Sequence, residues 1–338
     1  MLNKINPITT RPHLIMHVDP KDHSKILRVE RTVQKLAPTA DRLTTISELA
    51  QYRHVAVKRG PGIGDCLMLL PAMKALKEEL PELDVTLAVP SSCIELFSSL
   101  PYIDHIRDVS ALQEYLYDRV IDVSYFAERH PLKDKVNRAT IFGRAFGVDL
   151  SNIKFEIPLT ADEIKFGKGF LEELEKPVIG ICPWANRDQS NWPHAKEFAN
   201  EFKRKHGGSI VCITDRRGGI SWADVTTDGL GLLDVACILK HLDLLVTSDT
   251  GPMHLAFAVD TPMVLALFGV SKPELRINQW TRYCALLAQD VDCIGCDMSR
   301  RAFMCGHECM EQLTTEIVME SIDVWLKYIK KESIDALY

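Results

Sequence analysis

Short apolar runs alternate with stretches of helical periodicity from residue 54 onward. The first series contains three apolar runs that are typical of short buried strands, with helical segments between them: 54–60 (HVAVKRG), 84–90 (DVTLAVP) and 117–124 (YDRVIDVS). Strands that alternate with helices indicate a parallel sheet covered on both faces. The first half of the chain is therefore predicted to be an α/β domain.

A second series of the same kind follows. Its strands are predicted at 176–183, 209–215, 243–249 and 262–269, and its helices at 194–207, 232–242 and 251–260. The pattern predicts two Rossmann-like domains, at 53–165 and 172–312, joined within 159–177. An extension, 1–52, is expected to pack on the first domain. Apolar residues at helical spacing (Val318, Ile322, Trp325 and Ile329) predict an amphipathic C-terminal helix within 313–338.

The bulk composition narrows the class of protein. The chain has 338 residues and a net charge of −6, and we find no run near the roughly 18 apolar residues of a membrane span. The N-terminus lacks the order of a secretion signal. We therefore predict a cytoplasmic protein with reduced thiols and no transmembrane segment.

Positive charge is concentrated in the N-terminal part. Residues 1–60 hold 11 Lys and Arg against 5 Asp and Glu, and a second basic stretch spans 129–144. One explanation is a solvated helix face. The other is a surface for an anionic partner, with candidate acceptor-binding residues Arg129, Lys133, Lys135 and Arg138.

Two unusual loops each follow a predicted strand: GPGIGD at 60–65 and SDTGPMH at 248–254. In open α/β sheets, ligands bind beyond the carboxyl ends of the strands. If the two domains face each other, these loops line one cleft. The sequence therefore predicts a composite site made from both halves.

The loop at 248–254 suits a diphosphate. Pro252 fits the first helical position, with Gly251 as the expected N-cap, so free N–H groups and the helix dipole would face an anion. Thr250 adds a hydroxyl, and His254 comes from the same turn. The alternative is an ordinary loop capped by Asp249, with His254 as a hydrogen-bonded core residue.

The glycine-rich loop has a different character. It lacks both the G-x-G-x-x-G and the G-K-[ST] patterns, so it is a weak nucleotide motif. Gly62 and Gly64 would clear the cleft floor for a substrate. Asp65 is either a helix N-cap or a general base for a substrate hydroxyl. Pro71 is expected to interrupt or kink the following helix.

Several stretches together resemble glycosyltransferase family 9, the bacterial heptosyltransferases. They occur in the family's order: 62–76, 191–199, 248–269 and 293–310. The most specific is the motif Asp249, Thr250, Gly251, Pro252, Met253 and His254. The resemblance implies a GT-B fold, whose C-terminal helix returns to the N-terminal domain, and inverting transfer from a nucleotide-activated sugar without a catalytic metal.

The resemblance also implies residue roles. Asp65 matches the family's general base, which deprotonates the acceptor hydroxyl. Thr250, Gly251 and His254 match positions that hold the donor's diphosphate and sugar, and Asp249 matches a contact to donor sugar hydroxyls. A departing nucleoside diphosphate needs fixed donors, which a helix N-terminus supplies.

One departure concerns the loop at 183–193. The family usually has a Lys two residues before its Trp-Pro, but this chain has Ser190 there. Arg187 is the candidate replacement cation, and Asn186 could supply a hydrogen bond. Asp215 is the candidate ribose ligand. The change leaves the donor's identity open.

Four of the ten cysteines cluster near the C-terminus, with His307 among them: Cys293, Cys296, Cys305 and Cys309. Their spacing suits tetrahedral coordination of structural zinc or iron, with no open position for catalysis. The alternatives are reduced core thiols or a redox-sensitive loop.

Three functions follow. The leading one is transfer of heptose from ADP-heptose to an anionic glycan or glycolipid, such as lipopolysaccharide core, with peripheral contact to the inner membrane. The second is a transferase that uses another donor on a protein or modified nucleic acid. The third is a GT-B-like sugar-nucleotide-binding protein without turnover.

Overall fold

The computed structural model describes residues 13–19, 22–32, 41–215, 220–277, 283–288, 291, 293–296 and 306–324. The chain divides into two compact units, Met1–Asp41 and Arg42–Tyr338. In the first unit, β1 (His13–Asp19) pairs with β2 (Asp22–Thr32) in an antiparallel hairpin whose register is irregular near Val18. The sequence pattern did not predict this hairpin.

The second unit begins with a four-stranded parallel sheet of order β5-β4-β3-β6. Its strands are β3 (His54–Lys58), β4 (Asp84–Val89), β5 (His105–Asp108) and β6 (Arg119–Asp122). Val55, Ala56 and Val57 in β3 are all buried, as expected for a central parallel strand covered on both faces. The first half of the chain is thus the α/β structure that the pattern predicted, with β5 as an unpredicted addition.

The helices of this half are α1 (Ile46–Leu49), α2 (Ile63–Glu79), α3 (Ile94–Phe97), α4 (Phe126–Arg129) and α5 (Arg138–Ala145). They are followed by α6 (Ala161–Phe170), which packs against Leu232–Leu239 in the second half. Short 3₁₀ turns lie at Ser91–Cys93, Val109–Ala111 and Glu114–Leu116. The N–H groups of Leu43 and Thr44 both donate to the Ala145 carbonyl, which attaches the segment before α1 to the end of α5.

Helix α2 is the central helix of the unit. Its residues from Cys66 to Met73 are all buried, and it packs against α5. The helix runs through Pro71, so of the two expected effects of this residue, an interruption or a kink, the interruption was wrong. Burial of the surrounding turns offsets the backbone hydrogen bond that proline cannot donate.

The second half contains a six-stranded parallel sheet of order β12-β11-β10-β7-β8-β9. Its strands are β7 (Val178–Cys182), β8 (Ser209–Cys212), β9 (Val225–Thr226), β10 (Leu244–Ser248), β11 (Val264–Phe268) and β12 (Tyr283–Leu287). Its helices are α7 (Ala195–His206), α8 (Leu232–Leu239), α9 (Gly251–Ala258), α10 (Pro273–Arg276) and α11 (Glu308–Glu311), with a 3₁₀ turn at Asp188–Ser190. The prediction of two parallel sheets is confirmed.

The C-terminal helix is described over 315–324. Val318, Met319 and Ile322 join the apolar cluster of the second half, and Asp323 pairs with Lys205 and, at 3.0 Å, with His206 of α7. These ten residues therefore contact the second half. The expected return to the first half, and the stripe residues beyond 324, lie outside the described residues.

Over the part of the chain that the structure describes, none of the helices combines the length and apolar character that crossing a membrane requires.

Candidate functional site

The site lies where the first turns of α2 and α9 meet. A Cβ added to Gly64 would lie 2.5 Å from Cδ2 of His254, and one added to Gly251 would overlap Cγ2 of Ile63. Each glycine thus allows one helix start to approach the other. The two loops singled out in the sequence come together, as predicted for a composite site.

The start of α2 differs from expectation. Gly62 is the N-cap, with a φ of 109° that side-chain-bearing residues rarely adopt, and Asp65 lies in the first turn. The prediction that Asp65 is the N-cap was therefore wrong. Its carboxylate is instead available for partners outside the helix.

Two arginines hold the Asp65 carboxylate. Arg59, which follows β3 directly, donates from Nη2 to Oδ2 at 2.6 Å, and Arg138, the first residue of α5, donates from Nη1 to Oδ1 at 2.7 Å. Burial by itself would raise the pKa of Asp65, but the two guanidiniums outweigh it and lower the pKa to about 2. Asp65 is thus an anion at any physiological pH.

A second carboxylate contacts the same two nitrogen atoms. Glu128 of α4 lies with Oε1 3.3 Å from Arg59 Nη2 and 3.4 Å from Arg138 Nη1. Arg59 is only 2% exposed and also donates from Nη1 to the carbonyl of Ser124. The sequence analysis missed Arg59 and Glu128, because their pairing joins elements that are distant in the chain.

The α9 side of the site has its own charged group. Asp249, just after β10, accepts a hydrogen bond from the Ser271 hydroxyl and lies 3.6 Å from Nε of Arg276 and 3.8 Å from Nε2 of His254. The sequence analysis also missed Ser271 and Arg276. Asp249 is not a cap, since α9 has no side-chain cap bond. That alternative is excluded.

Helix α9 begins at Gly251 with Thr250 as its N-cap, so the expectation that Gly251 is the N-cap was wrong by one residue. Pro252 is therefore the second helical residue and not the first, as was expected, and Met253 is buried. The N-terminal N–H groups of this eight-residue helix are a suitable anion site.

His254 is buried at the base of this turn. Burial lowers its pKa to about 4, and the opposing effect of Asp249 does not offset it, so the imidazole is neutral near pH 7. Its Nδ1 is buried and has no hydrogen-bond partner among the described residues. The alternative of a core histidine satisfied by hydrogen bonds therefore does not describe this side chain.

The loop after β7 contains the other predicted donor residues. Asn186 is exposed, Arg187 is half-buried, and Ser190 is buried in the 3₁₀ turn, where its N–H donates to the Arg187 carbonyl at 3.0 Å. Asp215 is exposed after β8. A cavity of about 280 Å³ adjoins this loop, lined by Trp184, Trp222, Lys196 and others. Its lining does not include Asp65 or His254.

The four predicted acceptor-binding cations divide into two groups. Arg129 and Lys135 are exposed and Lys133 is half-buried, whereas Arg138 is buried against Asp65. Its position gives Arg138 a direct influence on the predicted base. The other three remain a predicted acceptor surface.

The cysteine cluster is only partly described, because Cys305 lies outside the described residues. Cys293 and Cys296 share one turn, in which the Cys296 N–H donates to the Cys293 carbonyl at 3.1 Å, and Cys309 is buried in α11. Among the described residues, no three potential metal ligands come together.

Part of the chain is similar to proteins of one known family. The model of glycosyltransferase family 9 (heptosyltransferase) matches residues 227–297. Lipopolysaccharide heptosyltransferase 2 of Salmonella typhimurium is 29% identical over 116 residues, which cover 30% of this chain and 33% of that protein. The chain thus aligns with about a third of that curated relative's length. The predicted resemblance to the family is confirmed.

Solved structures match over a larger share of the chain. Escherichia coli ADP-heptose lps heptosyltransferase II matches with a TM-score of 0.61 at 17% identity, covering 82% of this chain and 99% of that one. The iron-containing dodecameric glycosyltransferase TibC of enterotoxigenic E. coli matches with a TM-score of 0.65 at 16% identity, covering 91% and 83%. A TibC structure contains ADP-D-beta-D-heptose. The fold prediction, GT-B, is confirmed.

Proposed function

We propose that this chain, which resembles glycosyltransferase family 9, is an inverting glycosyltransferase that moves heptose from ADP-heptose to an anionic glycan acceptor such as lipopolysaccharide core. The observation that carries the proposal is the contact of Gly64 with His254. It brings a carboxylate, Asp65, and the start of α9 to one place. These are the two groups that such a transfer requires.

Asp65 is the proposed general base. The acceptor O–H bond breaks as its proton passes to a carboxylate oxygen of Asp65, and the acceptor oxygen forms a bond to the anomeric carbon. The bond from that carbon to the diphosphate oxygen breaks, and its electron pair leaves with ADP. Attack on the face opposite the leaving group inverts the anomeric centre.

The start of α9 is the proposed diphosphate site. Its N–H groups and dipole would stabilise the negative charge that develops on the departing ADP. The Thr250 hydroxyl and the neutral His254 imidazole are further contacts, and Asp249 is proposed to accept hydrogen bonds from the donor's sugar hydroxyls. Arg187 is proposed to supply the cation that Ser190 cannot, Asn186 a hydrogen bond, and Asp215 a ribose contact.

The acceptor is proposed to be anionic because exposed cations lie in the first half of the chain. Arg129, at the end of α4, and Lys135 are exposed, Lys133 is half-buried, and these three cations carry the proposal. We propose a cytoplasmic location with peripheral contact to the inner membrane, where a glycolipid acceptor would be reached. ADP-heptose is favoured as donor because TibC has been solved with ADP-D-beta-D-heptose.

The cysteines at 293, 296, 305 and 309 are proposed to hold a structural zinc or iron. Their spacing supports the proposal, as does the iron in TibC. Four thiolate ligands would fill a tetrahedral shell and leave no open position, so this metal is assigned no step in transfer. Metal analysis of the purified chain, beside a Cys293→Ser variant with less bound metal, tests it.

The function is tested by incubating the chain with ADP-heptose and extracted lipopolysaccharide cores or proteins, with mass-spectrometric detection of the added sugar. Asp65→Asn should lower kcat by about 10²–10⁴-fold, the typical contribution of a positioned base. ADP should still raise its thermal stability, because ligand binding stabilises a fold through RT ln(1 + [L]/Kd).

Glu78→Gln is the matched control. Glu78 lies on the same helix, its side chain is 67% exposed, and its Oε1 lies 4.0 Å from Nζ of Lys74. This variant should transfer at the wild-type rate. Full activity of Asp65→Asn would refute the base assignment. Binding of ADP without transfer to any acceptor would favour a binding protein, and transfer to a protein would favour the second enzyme hypothesis.

A further inference from the structure

The proposed base is part of a closed ring of four charged side chains: Asp65, Arg59, Glu128 and Arg138. Asp65 and Glu128 each contact Nη2 of Arg59 and Nη1 of Arg138, at 2.6 and 2.7 Å for Asp65 and at 3.3 and 3.4 Å for Glu128. The formal charges cancel, with two anions and two cations. Asp65 holds the guanidiniums more closely, while Glu128 lies within a short movement of the same distance.

The two arginines cannot easily leave this ring. Arg59 donates to the Ser124 carbonyl from Nη1 and lies over the Phe142 ring at 5.9 Å from its centre. Arg138 is buried at the start of α5. Because both cations are fixed in low-dielectric surroundings, loss of an anion would leave buried charge without compensation.

The burial of Glu128 costs the fold free energy. Its side chain is 14% exposed, and its Oε2 is buried with no hydrogen-bond partner among the described residues. A buried carboxylate oxygen that lacks a partner destabilises a fold, so the group needs another purpose to account for it. Glu128 adds no tighter contact than Asp65 already gives the arginines, so packing stability alone does not account for it.

The chemistry of a general base supplies that purpose. When Asp65 accepts a proton, its negative charge disappears and both guanidiniums lose their nearer counterion. We propose that Glu128 is a positioning residue that shares Arg59 and Arg138 with Asp65 and keeps them neutralised while Asp65 carries the acceptor's proton. This inference rests on the proposed function.

Glu128 therefore favours the protonated form of Asp65 and makes it a stronger base. Two further titratable side chains, Arg276 of α10 and His254 of α9, also face Asp65. His254 is neutral near pH 7, and Arg276 already lies 3.6 Å from Asp249. Within the described residues, Glu128 is the anion that contacts both arginines of Asp65.

The kinetic test uses the full chain with ADP-heptose and its acceptor. Glu128→Gln keeps the size of the side chain but removes its charge, and should lower kcat by about tenfold, part of what a base contributes, with an unchanged KM for ADP-heptose. Glu128→Asp, which keeps the charge, should retain more activity than Glu128→Gln. The double variant Glu128→Gln/Arg138→Gln should recover kcat relative to Glu128→Gln, because it removes one cation together with one anion.

The outcomes separate this role from a merely structural one. A structural defect would not be repaired by a second truncation, so a double variant slower than Glu128→Gln would overturn the proposal. An unchanged kcat in Glu128→Gln would overturn it as well.

A second measurement needs no substrate. Thermal unfolding of Asp65→Asn, Glu128→Gln and the double variant forms a double-mutant cycle. If the carboxylates share the arginines, either one alone still compensates them, and the double variant should lose more Tm than the two single losses combined. Additive losses would contradict sharing. If wild-type chain transfers no sugar, the proposed function fails, whereas this cycle still decides whether the ring exists.

Discussion

Gly64 and His254 belong to different halves of the unit, yet a single added carbon on Gly64 would lie 2.5 Å from the imidazole. The contact joins the first turn of α2, which carries Asp65, to the first turn of α9. Proton acceptance by Asp65 and diphosphate binding at the start of α9 therefore both depend on the close approach that Gly64 allows.

Gly64→Ala should separate these helix starts. The new methyl group has to displace the buried His254 side chain, and such overpacking typically costs about 1–3 kcal/mol. We expect a lower Tm and a kcat/KM at least tenfold below wild type. Gly169→Ala is the control, since Gly169 lies in α6 with no atom within 4 Å of the added carbon. It should keep full activity and the same or a higher Tm, and equal effects of the two changes would contradict the close contact.

Arg138→Gln should change the pH dependence of transfer. Arg138 has the largest effect among the cations that lower the pKa of Asp65 to about 2. Without it, burial raises that pKa, and the carboxylate becomes protonated at a higher pH. We expect kcat/KM of the variant to fall on acidification within about pH 4–6, where wild type is level with respect to this group.

The exposed Arg204, which pairs with Glu201 on the surface of α7, supplies a control for that profile. Arg204→Gln should leave it unchanged. If the acidic limb of Arg138→Gln coincides with that of wild type, Arg138 does not set the basicity of Asp65.

His254 should make the fold less stable in mild acid. Its pKa is about 4 in the folded chain and 6.5 when unperturbed, so between these values the unfolded state binds more protons and the free energy of unfolding rises with pH. The contribution is of the order of 3 kcal/mol. His254→Gln should flatten the pH dependence of stability between pH 4 and 6.5, as measured by chemical unfolding. An unchanged slope in His254→Gln would show that folding does not lower the pKa of this imidazole.

Substitutions of two N-cap threonines should distinguish an effect on stability from an effect on donor binding. Thr160 caps α6 by accepting from the Glu163 N–H, whereas Thr250 makes no side-chain cap bond to α9. Thr160→Val should cost about 1 kcal/mol of stability without affecting ADP. Thr250→Val should keep its Tm but bind ADP about fivefold more weakly, as measured by calorimetry. Equal ADP affinity in both variants would remove Thr250 from the diphosphate site.

The sequence predicted the two sheets because buried parallel strands are short, apolar and β-branched, and those runs stand out between helices. It also predicted that the loops before α2 and α9 face one another, since both follow strands. It did not predict the hairpin at 13–32, whose residues are largely polar. It overestimated the effect of Pro71, because a helix buried among other elements is held by tertiary packing.

Sequence patterns could not predict the charged ring. Arg59 follows a strand directly after another basic residue, Lys58, and Glu128 and Arg138 lie in or beside a stretch that resembles a solvated basic surface. Only the packing of α5 against α2, and of α4 against α5, brings these side chains to Asp65. Helix periodicity gives the direction of a side chain within its own element, but not which charges from other elements it meets.

The close approach of Gly251 to Ile63 has a consequence for turnover. A Cβ on Gly251 would overlap Cγ2 of Ile63, so Ile63 lies beside the proposed diphosphate site, and we expect donor loading and ADP release to require the two helix starts to move apart. Each catalytic cycle would then include one opening and one reclosing of this contact. Substitutions at Ile63 should therefore alter the speed of product escape even where they leave bond formation intact.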